Sequence, residues 1–134
     1  MLQKVFFICT LFISFVLCAQ EDAWVYFTDK PDATAFLANP LTMLSQRSLD
    51  RRTAQGISLN NTDVPIAQSY INQVVASPGI TVVAKSKWMN ALHVRGAQAD
   101  IQALTSLSFV SSVEFANQLL NARFSAISNS NPIN

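Results

Sequence analysis

Only one histidine occurs in these 134 residues. It is His93, inside KSKWMNALHVRG (residues 85 to 96), where two lysines and a tryptophan precede it and an arginine follows. An imidazole can act as a general base near neutral pH or ligate a metal. Both tasks need company. A base needs a nucleophile or an orienting partner in reach, and a zinc site needs several ligands. The sequence holds no second histidine, and its two cysteines, Cys9 and Cys18, lie near the N-terminus. Neither a G-x-S-x-G nucleophile turn nor a phosphate-binding loop occurs. No catalytic, metal-ligating or cofactor-binding residue is therefore assigned, and His93 reads as a half-exposed strand residue.

Two further stretches could carry chemistry. LSQRSLDRRTAQG (44 to 56) sets Arg47 and Arg51 one turn apart with Asp50 and Arg52 beside them. A solvated helix face explains this spacing, and basic residues late in a helix favour its negative end, so no acidic ligand is invoked. Asn60-Asn61-Thr62 fits a glycosylation acceptor, a pattern that is common by chance.

The N-terminus reads as a targeting segment. Lys4 gives a positive start, Val5 to Leu17 an uncharged apolar run, and Ala19 a small residue before Gln20 at a plausible cleavage point. The run falls short of the roughly 20 residues that cross a bilayer, and Glu21 and Asp22 follow at once. The expectation is an exported protein, secreted or periplasmic, with residues 1–19 removed and no membrane attachment afterwards. Both cysteines would leave with that segment, so the mature chain could form no disulfide. Once Lys4 is also gone, basic and acidic residues balance and the net charge is near zero. That argues against nucleic acid, which needs a basic face. The remaining length suits one small domain plus a tail.

The elements that would position these residues follow from periodicity. AWVYFT (23 to 28) reads as a central strand, and ATAFLA as a short helical turn. A helix is expected with Asn39 as N-cap, Pro40 in its first position and Gly56 as its stop, placing Leu41, Leu44 and Leu49 on one side. AQSYINQVVAS reads as a second helix, with Tyr70, Ile71, Val74 and Val75 on one face. Strands are expected over 80 to 85, 91 to 95 and 109 to 115, and a helix with Ala97, Ile101, Leu104 and Leu107 in a stripe. The order strand, helix, two strands, helix, strand predicts an α+β ferredoxin-like β-α-β-β-α-β sandwich: a four-stranded antiparallel sheet with helices on one face. Residues 118–134 turn polar and aperiodic and read as a linker or processing tail after a domain spanning 20–117.

Alternation sorts the strands into two faces. Val25, Phe27, Ile80, Val82, Leu92, Val94, Val113 and Phe115 form an apolar set for the helices to cover. Trp24, Tyr26, Thr81, Val83, Lys85, Ala91, His93, Arg95, Ser112 and Glu114 form a mixed set on the open face. Tryptophan, tyrosine and arginine are the types enriched at energetic centres of interfaces, although Trp24 and Tyr26 could equally shield a central strand. Trp88, just before a strand, is expected to plug the edge of the core.

Taken together, the leader, AWVYFTDKP, LSQRSLDRRTAQGI, VPI, KSKWMNALHV and FVSSVEF resemble the N-terminal propeptide of secreted subtilisin-like serine proteases of the Bacteroidetes type. The resemblance covers nearly all of residues 20 to 117. It implies a prodomain that assists folding of a protease domain and then inhibits it until cleaved away. The open sheet face (Trp24, Tyr26, His93, Arg95, Glu114) would dock on two helices of the enzyme, and the C-terminal tail would occupy the cleft as a product does. Glu114 would face a helix N-terminus, where a carboxylate is favoured. The protease triad is absent from these residues, so they are not themselves the enzyme. The expectation is a fragment of a longer protease or, alternatively, a stand-alone inhibitor of the same fold.

Overall fold

In the first strand, β1 (Gln20–Phe27), Ala23, Val25 and Phe27 are buried while Trp24 and Tyr26 are half-exposed. That alternation is what a central strand shows when one sheet face is covered. The computed structural model describes residues 19–122. The expected targeting segment up to residue 18 and the tail from 123 lie outside the described residues.

Three more strands complete the sheet: β2 (Thr81–Ser86), β3 (Ala91–Ala97) and β4 (Val110–Phe115). The order is β2-β3-β1-β4, and every neighbouring pair is antiparallel. With the helices between, this is the ferredoxin-like arrangement that the sequence predicts. Two helices, α3 (Gln68–Ala76) and α4 (Gln98–Ala103), cover one face. Their Ile71, Val74 and Ile101, with Leu104 just beyond α4, join Val25, Leu92, Val94, Val113 and Phe115 in the core. Each such side chain contributes roughly 1.5–3 kcal/mol by leaving water. At one end of the core, Tyr70 stacks on Phe109 with ring centroids 4.2 Å apart.

The arginine stretch departs from one continuous helix. After α1 (Ala33–Ala38), Pro40–Thr42 forms a single 3-10 turn, and α2 (Gln46–Ala54) starts afresh. The break has a local cause. Ser45 is extended, and its hydroxyl accepts from Ser48 N–H (3.3 Å), so it caps a new helix in place of Asn39. Gly56 does stop it, at φ 65°, with Ile57 N–H donating to Arg52 O and Gly56 N–H to Thr53 O. Leu41 is exposed, and α2 buries no residue.

What holds α2 is an ion pair that the solvated-face reading overlooks. Arg52 grips Asp63 with both terminal nitrogens, Nη1 to Oδ2 at 3.1 Å and Nη2 to Oδ1. Asp63 is 2 % exposed and also accepts from Asn60 N–H (3.1 Å). Arg47 and Arg51 stay exposed, as expected. The same loop is pinned from the other side by Lys30, a buried lysine. Its ammonium donates to the carbonyls of Asn61 (2.8 Å), Val64 (2.6 Å) and Lys87 (2.6 Å), which uses all three of its protons. Burial, and then the Lys87 charge, hold its pKa below the ordinary lysine value, against the opposing pull of Asp63.

Three packing expectations need correction. A bulge between Val82 and Ala84 sets Ala84 opposite His93 and Lys85 opposite Leu92, so Lys85 leaves the open face. Trp88 is 72 % exposed: it sits at the tip of the β2–β3 hairpin, beyond the last strand pair, where neither sheet nor helix can cover it. Val75 is 57 % exposed because the face of α3 turned to the sheet is taken by Ile71 and Val74.

Candidate docking face

Opposite the helices, the sheet carries a row of large side chains whose places follow from strand register. Asp22 stands across from Arg95, and Trp24 stands between His93 on β3 and Glu114 on β4. Tyr26 lies one pleat further along β1, opposite Ser112. All five residues expected on the open face, Trp24, Tyr26, His93, Arg95 and Glu114, are therefore brought together. Ala91 shares their parity but is fully buried, and Ala84, brought in by the bulge, flanks His93.

The side chains brace one another. Arg95 Nε and Nη2 reach the two oxygens of Asp22, each at 3.1 Å. His93 Nε2 lies 3.1 Å from Asp22 Oδ1, and its ring is 5.3 Å from the Trp24 ring, tilted by 31°. Tyr26 donates its phenolic proton to Glu114 Oε2 (3.2 Å), across the diagonal of the ladder. The result is a lattice: two carboxylates hold a tyrosine, an arginine and a histidine, with the indole in the middle. Long side chains fixed in this way lose less freedom on binding than free ones would.

Electrostatics follow the same contacts. The hydrogen bond from Arg95 holds the Asp22 carboxyl below its ordinary value, desolvation opposes it, and the charge of Arg95 and the contact with His93 add to the lowering. Partial burial, and then the bond to Glu114, push the Tyr26 phenol above its ordinary value.

Chemically, the charged groups of this face are engaged with one another. The Asp22 carboxylate that would orient His93 is already shared with a bidentate guanidinium, so the pair is a brace and not a poised base. Among the described residues, no three His, Cys, Asp or Glu side chains gather as a metal site would require. Asp22 is the member that sequence reasoning missed. The signal was present: two residues before Trp24, it continues the period-2 set, but the strand is expected to begin only at Ala23.

The sequence model of the "Peptidase S8 propeptide domain, Bacteroidota" family matches residues 22–132. Neither the curated proteins nor the solved structures include a match.

Proposed function

Because this chain belongs to the S8 peptidase propeptide-domain family of Bacteroidota, a domain type that is not itself catalytic, we propose that it folds, and then temporarily inhibits, the S8 protease domain of its own polypeptide. The observation that carries this reading is the braced row Asp22–Arg95–His93–Trp24 and Tyr26–Glu114, on the sheet face that none of the described helices covers. A rigid platform with a central indole and an arginine has the composition of an interface centre. Glu114 is exposed and accepts from Tyr26 at Oε2, and its carboxylate suits the free amides at a helix N-terminus of the enzyme. The tail beyond the domain occupies the cleft, and its tether raises its local concentration there.

Export belongs to the same reading. β1 begins at Gln20, so removal of residues 1–19 would leave every described strand whole. Intact-mass analysis of the exported protein should show Gln20 as its first residue, whereas retention of Met1 or a lipid on Cys18 would contradict it.

Refolding in trans tests the central role. The protease domain, denatured without its propeptide, should regain a native and inhibited state when the chain from Gln20 onward is added, and become active once that chain is digested. Equal recovery with and without the chain would overturn the proposal.

A further inference from the structure

β4 is an edge strand, and at its last residue, Phe115, the outer side is capped by a side chain. Past the strand, Ala116 N–H still donates inward to Asp22 O (2.8 Å). Alternate residues of an antiparallel ladder point in and out, so the peptide groups of Phe115 point to the free edge. The Asn121 carboxamide takes both. Phe115 N–H donates to Asn121 Oδ1 (2.7 Å), and Asn121 Nδ2 donates to Phe115 O (2.9 Å). A carboxamide carries the same donor and acceptor as a peptide unit, so Asn121 replaces one residue of a fifth strand. Asn121 is returned by a helical segment, 118–122, that Asn117 caps: Leu120 N–H donates to Asn117 O (3.0 Å) and Leu119 N–H to Asn117 Oδ1 (3.2 Å). Leu120 is buried in the core beside Phe115. The packed domain thus runs beyond 117, and the family match also runs through these residues.

We propose that this clasp, and not the end of β4, is where the inhibitory tail is anchored. Asn121 is a positioning residue that sets the point and direction from which the chain departs toward the protease cleft. The proposal rests on the prodomain reading above. With the clasp shut, the tail departs from the helical turn that carries Asn121. With it open, the tether starts near Ala116, is longer, and can point elsewhere. Effective concentration falls roughly as the −3/2 power of tether length, so a tether of about a dozen residues lengthened by residues 116–121 weakens tail binding about twofold before any loss of direction. An open clasp also exposes the Phe115 edge to pairing with foreign strands.

Asn121→Ala, made in the whole chain from Gln20 onward, tests this. The measurements are inhibition of the matching S8 protease domain and a mass-spectrometric map of the first cuts that the protease makes. Inhibition should weaken about twofold or more, with first cuts moved to new positions after Ala116 while residues 20–115 stay whole. Unchanged inhibition with the parental cut map would overturn the proposal. So would first cuts inside residues 20–115, which would make Asn121 a fold stabiliser only. If circular dichroism shows Asn121→Ala unfolded, Asn121→Asp, which keeps the acceptor and loses the donor, carries the same two readouts. A parent chain that fails to inhibit at all would defeat the prodomain reading itself, and that outcome is visible without any substitution.

Discussion

Asp22 ties more of the open face together than its place near the start of β1 implies, since one carboxylate holds both Arg95 and His93. Its acidity gives a direct check. A carboxyl whose folded-state pKa is depressed contributes stability that is present above the unfolded value and is lost as pH falls through the folded one. The parent should therefore lose an increment of stability below about pH 4, while Asp22→Asn should lack that increment. Urea midpoints followed from pH 6 downward would measure it. The effect is small because the carboxyl is only half-buried and is screened by solvent, and parallel curves for the two proteins would contradict the contact. At this scale the sequence was partly legible. That the sequence offers His93 no second histidine could be read from composition. Its actual neighbours, Asp22 and Trp24, depend on pairing register, which no local pattern encodes.

Among the elements, strands were easier to read than helices. The period of two sorted Leu92 and Val94 from His93 correctly, so Leu92→Ala should cost about 2–5 kcal/mol as a core truncation. His93→Ala, which removes only a braced surface ring, should leave the thermal melt close to the parent's. A larger loss in the His93 variant would mean that the faces are reversed. The parity failed only on β2, where the bulge beyond Val82 flips Lys85 to the other side. The helix over 40–55 was misjudged because Ser45, equally able to cap, competes with Asn39, and its hydroxyl wins the bond to Ser48. The attachment of α2 was hidden for another reason: Arg52 finds Asp63 across a loop whose path the sequence does not show. Arg52→Ala would leave a buried carboxylate without its partner and should destabilise by about 3–5 kcal/mol. Arg47→Ala and Arg51→Ala, on the exposed side of the same helix, should stay within about 0.5 kcal/mol of the parent. Chemical denaturation of the three variants separates these outcomes, and equal losses would show that the pair does not anchor the helix.

As a whole molecule, the protein divides its labour by face. Helices α3 and α4 cover one side of the sheet, and the other side presents a fixed array of aromatic and charged groups. The strand order was legible because hydrophobic periodicity and turn residues alternate in the sequence as β-α-β-β-α-β demands. The extent of the domain was not. Leu120 and Asn121 sit in a polar stretch whose packing onto Phe115 is a tertiary event. Lys30, likewise, reads as a loop lysine until three carbonyls converge on it. The central claim is that the braced face docks on an S8 protease, and inhibition constants for three folded proteins test it most directly. These are the parent, Trp24→Ala and Val75→Ala, the last on the helix side of the molecule. With circular dichroism confirming that each is folded, Trp24→Ala should weaken inhibition by about 1–3 kcal/mol, roughly 5- to 150-fold, and Val75→Ala should match the parent. Equal inhibition by all three, or a loss confined to Val75→Ala, would contradict docking through this face.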